Sequence, residues 1–327
     1  MKRISLFLVA ALALLALLAL LALPASAQDY PDRTVKIVVP YTAGGATDAV
    51  GRALAQELAA LWKQPVVVEN KAGAGASLGA DFVAKSPPDG YTLLFSDSSP
   101  FVINPHIYDK LPFDPLKDLA PIALGVHLSP ALAVSNTAPG KTLKELLDHA
   151  RANPDALTYA SPGVGNYTHI AFEYLKHLAG VKLVHVPYRG TNQVMPDLLS
   201  GRVHMYLVTI SVFEQYEREG KLRVIAAATE KRLPQRPDLP TIGETVPGYA
   251  IDVWFGLSAP AGTPPAILDK INADVRKVLH EKKFQDSFIV PQAYIAGTFT
   301  RQQFADTIRS QYTKWRELVQ ISGAKNP

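Results

Sequence analysis

The chain has 327 residues, 33 lysines and arginines against 29 aspartates and glutamates, a formal net charge of +4, and no cysteine. Without cysteine, disulfide frameworks, thiolate metal sites, thiol nucleophiles and a lipid-bearing cysteine are excluded. The cations are scattered and not interleaved with aromatic residues, which argues against a nucleic-acid stripe, and the length supplies one large or two moderate cores.

Lys2 and Arg3 form a short basic start, Ile4 to Leu23 is apolar apart from Ser5, and Ala25-Ser26-Ala27 supplies the small residues of a cleavage site. Residues 1–27 are therefore expected to be a signal peptide cleaved after Ala27, which places the rest of the chain in the periplasm. Pro24 ends the apolar run near the lower length limit for a spanning helix, and no later segment is long and apolar enough to cross a membrane.

Thr34 to Val39 is a β-branched run ending at Pro40, and beyond Gly44-Gly45 the residues Ala49, Leu54, Leu58 and Leu61 recur at helical spacing. A strand at Pro65 to Glu69, the Gly73-Ala74-Gly75 loop, a helix through Leu78 and Val83, and a strand at Tyr91 to Phe95 follow. This alternation predicts a parallel sheet covered by helices on both faces. A second set begins with a strand at Ala131 to Ser135 and a helix capped by Thr142. Its further strands are Leu157 to Ala160, Leu183 to Val186, Val203 to Val208 and Leu222 to Ala228, separated by helices beginning near Tyr167, Asn192 and Val212. A strand at Val253 to Ala259 and two amphipathic helices, about Pro264 to Leu279 and Thr300 to Ile321, close the chain. The expected fold is α/β, two doubly wound sheets in two lobes. No Gly/Ser linker separates the sets, so extended strands acting as hinges join them over a cleft.

The segment Tyr41-Thr42-Ala43-Gly44-Gly45-Ala46-Thr47-Asp48 leaves a strand and enters a helix, so its amides converge at a positive helix N-terminus suited to an anion. The alternative is a tight turn in which Thr47 or Asp48 merely caps the helix. No Gly-Lys-Ser/Thr follows, and the three spaced glycines of a dinucleotide site are missing. Ser161-Pro162-Gly163-Val164-Gly165-Asn166-Tyr167-Thr168-His169 repeats the arrangement in the second set, where Ser161 offers a hydroxyl and the positions after Gly163 and Gly165 offer amides. An ordinary turn is again the alternative. Two such loops at the carboxyl ends of strands face one another across a cleft. Ser96-Asp97-Ser98-Ser99 is a third polar loop, with Ser96 its candidate residue, that either lines the cleft or makes a turn. Trp254 and Phe255 are cleft wall or core. His169, His177 and His185 stand eight apart on different predicted elements, so no metal site is expected. No His-Glu-x-x-His occurs and no nucleophile is read with a partnered base; no catalytic residue, cofactor or enzymatic activity is predicted.

In chain order stand Tyr30-Pro31, Val38-Val39-Pro40 with Gly44-Gly45 and Asp48, and Gln64-Pro65-Val66-Val67-Val68-Glu69-Asn70. Pro88-Asp89-Gly90-Tyr91-Thr92-Leu93-Leu94, Tyr159-Ala160-Ser161 with Gly163 and Gly165, His185-Val186-Pro187-Tyr188-Arg189-Gly190, Leu239-Pro240-Thr241 and Trp254 to Pro264 follow. In their order and spacing these motifs make the sequence resemble the Bug family, the TctC-type extracytoplasmic solute receptors of tripartite tricarboxylate transporters, over nearly all of the mature chain. The resemblance implies a two-lobed periplasmic binding protein, type 2-like, with lobe 1 formed by 28–129 plus 253–327 and lobe 2 by 130–252. It implies a ligand carboxylate held between Thr42 to Asp48 and Ser161 to Thr168, largely by backbone amides and bridging water. The candidate ligand-binding residues are thus Tyr41, Thr42, Ala43, Gly44, Gly45, Thr47, Asp48, Ser96, Ser161, Gly163, Val164, Gly165, Asn166, Thr168 and Val208. The expected partners are a small carboxylate and membrane transporter subunits, with the receptor a monomer and no nucleic acid. Two departures stand out: Thr42-Ala43 where the family often has proline, and Val208 where an aspartate usually ends the strand after Gly201-Arg202-Val203. A less polar lobe-2 pocket favours an aromatic acid or monocarboxylate over a ligand with a second charge. A ligand-sensing input for a membrane kinase would use the same fold, and an exported enzyme the same cleft.

Overall fold

A computed structural model describes residues 30–188 and 191–325. The expected signal peptide of residues 1–27 with its cleavage after Ala27, and the Arg189-Gly190 pair, lie outside the described residues. In chain order the strands are β1 (Val35–Val39), β2 (Val66–Asn70), β3 (Thr92–Asp97), β4 (Leu119–His127), β5 (Pro130–Ser135), β6 (Thr158–Ser161), β7 (Val184–Pro187), β8 (Met205–Thr209), β9 (Leu222–Ala227), β10 (Trp254–Pro260) and β11 (Ile295–Ala296). The helices that place the site and the hinge are α1 (Ala46–Trp62), α2 (Tyr167–Ala179), α3 (Pro265–His280) and α4 (Arg301–Ser322).

The strands form two sheets, one ordered β11-β4-β10-β3-β1-β2 and the other β7-β6-β8-β5-β9. Each sheet is the centre of one lobe. β1 reads Val-Lys-Ile-Val-Val, and all but Lys36 are buried, as befits a strand covered on both faces. It runs parallel to β2 and β3, the pairing that an intervening helix permits. α1 covers this sheet with Val50, Leu54, Leu58 and Trp62, which recur every four residues on one buried stripe.

The sheets are mixed rather than parallel throughout. β10 is antiparallel to both β3 and β4, and β5 is antiparallel to β8 and β9. These strands arrive from the other lobe rather than through a local helical crossover, so the parallel rule of βαβ units does not bind them. β4, absent from the sequence reading, is nine residues long and contains Pro121 and Gly125. Its register with β10 skips at Ile122 and at Gly125, two bulges that accommodate those residues. Each bulge carbonyl finds a donor: Asn272 Nδ2 reaches Ile122 O at 2.8 Å, and the Gly297 amide reaches Gly125 O at 2.8 Å.

The chain passes between lobes at His127–Pro130 and returns at Ile251–Trp254. The two crossings lie side by side, with the Leu128 amide donating to Val253 O at 2.9 Å and the Ile251 amide to Ala228 O at 2.8 Å. α4 braces them from the C-terminus: Gln311 accepts from the fully buried Trp254 indole at 2.8 Å and donates to Asp252 at 2.6 Å. The same helix packs against α2 of the second lobe. Trp254 and Phe255 both belong to the core. Among the described residues no helix is long and apolar enough to cross a membrane.

Candidate functional site

Because β1, β2 and β3 are parallel neighbours, their carboxyl ends open on one edge of the sheet. The loop after β1 is framed there by one side chain from each neighbour. Asn70, at the end of β2, donates to Tyr41 O at 3.0 Å and to Asp48 Oδ1 at 2.8 Å. Asp97, at the end of β3, accepts from the Tyr41 hydroxyl at 2.7 Å.

Asp48 turns inward. Its side chain is 4% exposed, and Oδ2 accepts both the Gly44 amide and Arg52 Nε at 2.9 Å. Burial works against its charge, but Arg52, the Gly44 amide and Asn70 outweigh it and hold the carboxyl below its usual range. Asp48 is thus committed to shaping the loop, and Thr47 is also buried. Thr42, Ala43, Gly44 and Gly45 are exposed. Gly44 takes φ +84°, the left-handed region that favours glycine. Gly45 is the N-cap of α1 and offers no side chain, so the first-turn amides of a 17-residue helix are left without a capping group. That end is equipped to meet an anion.

The second loop, between β6 and α2, is built differently. Ser161 is fully buried; its hydroxyl lies 2.7 Å from His185 Nε2, donates to Gly163 O at 3.0 Å and receives the Gly163 amide at 3.2 Å. Asn166 caps α2 by accepting the Thr168 amide at 2.9 Å, and Thr168 Oγ1 anchors the helix to Leu207 O of β8 at 2.9 Å. The Gly165 amide donates to His169 Nδ1 at 3.3 Å. Exposed Val164 stands at the tip, and half-buried Val208 packs on the lobe-2 core. Most hydrogen-bonding capacity of this loop is turned inward, so the first loop has more to give an incoming anion.

A four-ring stack supports the second loop: Phe172, Tyr159, His185 and His169, with the two imidazoles 4.2 Å apart. Burial and the neighbouring His169 push His185 down to about 4. Burial also lowers His169, with Lys176 adding to it and Glu173 opposing it. The stacked imidazoles do not converge on a point as metal ligands would, and His177 takes no part in the stack.

The second loop approaches the first lobe at Ile107. A Cβ on Gly165, whose φ is +78°, would lie 2.9 Å from Ile107 Cδ1 in the first lobe. Tyr167 is buried, which raises its hydroxyl well above the usual range, and Asp97 and Tyr294 of the other lobe add to the shift. Asp97 Oδ1 also accepts the Ser99 amide at 3.0 Å, and Oδ2 accepts the Ser99 hydroxyl at 3.2 Å. Ser96 is fully buried and donates to Asp97 O at 3.0 Å, so within the third polar loop it is Asp97 that meets the loop after β1. Its signal was present, a polar run at a strand end, but alternation alone does not say which member faces the cleft. Ile107 and Tyr167 carry no such signal. Two cavities, of about 560 and 610 Å³, lie away from both loops, one against α4 and Asp252, the other against Lys141 and Arg223.

Residues 50–324 match the family model described as the tripartite tricarboxylate transporter family receptor. Protein BugT of Bordetella pertussis is 31% identical over 320 residues, covering 97% of this chain and 98% of BugT. Among solved structures, R. palustris Rpa4515 with adipate superposes with a TM-score of 0.81 at 30% identity, over 90% of this chain and 99% of that one. MatC from Rhodopseudomonas palustris with bound malate gives 0.77 at 31% identity, over 89% and 100%. The family match begins within α1, after β1 and the loop Tyr41–Asp48, and runs to residue 324, while BugT aligns over 97% of the chain; on both, the chain belongs to the tripartite tricarboxylate transporter family of receptors.

Proposed function

We propose that this receptor holds one carboxylate of a small acid between the loop Tyr41–Asp48 and the loop Ser161–Thr168, in the periplasm, and presents it to the membrane subunits of its transporter. The observation that carries the reading is the uncapped N-terminus of α1, with the second loop brought against the first lobe at Ile107. Adipate and malate in the two structural neighbours support the ligand class. Lobe 1 takes residues 28–129 and 253–327 and lobe 2 takes 130–252, so the ligand lies at the lobe boundary. Asp48, Asn70, Ser161 and Asn166 shape the loops, while the amides at Gly45 to Thr47 and at Val164 face the anion. The receptor acts as a monomer and leaves its ligand chemically unchanged.

The mechanism is a population shift. An anion that touches both loops binds the closed form better than the open one and draws the equilibrium towards closure, the form the membrane partner reads. A helix N-terminus contributes on the order of 0.3–1 kcal/mol and up to ~2 when desolvated. Charge-assisted hydrogen bonds of about 1.5–3 kcal/mol each bring the total within reach of micromolar affinity. Bulky residues at Gly45 or Gly163 test the placement by thermal shift against a carboxylate panel. Loss of the ligand-induced shift in both variants is expected; unchanged binding in both refutes it.

A further inference from the structure

One buried acid stands where an acid is costly. Asp97 is 9% exposed, and it stands at the end of β3 against the loop after β1, from which it accepts the Tyr41 hydroxyl at 2.7 Å. Three donors face it, the Tyr41 hydroxyl, the Ser99 amide and the Ser99 hydroxyl, and they oppose the burial that raises its carboxyl. Among the described residues Oδ2 receives only the Ser99 hydroxyl, at 3.2 Å, and keeps acceptor capacity. Capping the short helix Ser99–Val102 would need only Oδ1, which already takes the Ser99 amide.

We propose that Asp97 is a specificity-determining residue of the cleft, which accepts a hydrogen bond from a hydroxyl or ammonium group of a monocarboxylate ligand and turns away a second carboxylate. The inference rests on the two-loop reading of the site. Like charges in a shared, poorly solvated site disfavour one another strongly, whereas a ligand donor fills the open lone pairs of Oδ2. Val208, the half-buried residue at the end of β8, brings no acid or base of its own to lobe 2. Asp97 therefore supplies discrimination from the first lobe.

Titration calorimetry on the exported protein decides it, with four-carbon, six-carbon and benzene-ring acids, each as the simple acid, hydroxy acid, amino acid and diacid. The wild type should prefer the hydroxy or amino acid over the diacid of the same length by at least about tenfold, the ratio that ~1.4 kcal/mol of like-charge penalty produces. Asp97→Asn, whose Oδ1 still accepts the Tyr41 hydroxyl and the Ser99 amide, should erase that preference, and Asp97→Thr provides a second neutral variant if the first folds poorly. A wild type that prefers diacids, or variants that keep the wild-type ranking, would assign Asp97 to capping alone. Failure of every acid to bind wild type and variants alike would instead overturn the carboxylate reading, and this inference with it.

Discussion

Replacing His185 by Gln removes a titratable ring beneath the second loop while keeping a group able to bond the Ser161 hydroxyl. In the folded chain His185 is held down to about 4 from an ordinary 6.5, with burial the main cause and His169 the next. Between those values the unfolded chain binds a proton that the folded chain refuses. The ring's contribution is therefore fully present above about pH 6.5 and is lost as the pH falls towards 4. Without screening the span would be worth about 3.4 kcal/mol, but His185 is only partly buried and solvent reduces this to about 1–2 kcal/mol. Asp97 is raised by burial and works in the opposite direction, but it is present in both proteins and cancels in the comparison. Urea denaturation at pH 7 and pH 4.5, followed by fluorescence of the buried Trp254 and Trp315, should show the wild type losing about 1–2 kcal/mol more than His185→Gln on acidification. Equal losses would refute the assignment of His185 as a neutral ring in the fold.

Asp48→Ala should cost about 2–3 kcal/mol and weaken ligand binding, since it strips the Gly44 amide and Asn70 of an acceptor; the half-exposed Arg52 adds little. Asp48 lies below its usual 3.8, so its contribution is complete above about pH 4 and fades in stronger acid, which a thermal-unfolding series in pH will show. Gly165→Val meets both a positive φ and Ile107 Cδ1 at 2.9 Å, and should lower affinity by about tenfold or more in titration calorimetry; Ile107→Ala in the same chain should recover part of it. Gln311→Ala leaves the buried Trp254 indole without its acceptor and should destabilise the hinge by about 1–3 kcal/mol in urea denaturation.

The parts of the fold that announce themselves are those whose local chemistry and tertiary role agree. Thr142 and Thr300 cap their helices as their spacing to Glu145 and Gln303 suggests, and the β-branched run from Val35 becomes a central strand. β4 was hidden because Pro121 and Gly125 read as breakers; only its bulges, rescued by Asn272 and Gly297, make a strand there possible, and those partners stand far along the chain. The antiparallel β10 was hidden for a similar reason: its direction follows from returning across the hinge, which no pattern within the strand records. Both loops were legible as glycine-rich strand-to-helix turns. Which side chains face inward was not, because Asp48, Ser161 and Asp97 acquire their roles from Asn70, His185 and Tyr41, partners brought near by the fold.

Mass spectrometry of the small molecules released from gently purified exported protein tests the central claim most directly. The account predicts a small carboxylic acid, in stoichiometric amount and chemically unchanged, that stabilises the emptied protein when added back. A bound compound without a carboxyl group, or an acid that emerges converted into another compound, would contradict it.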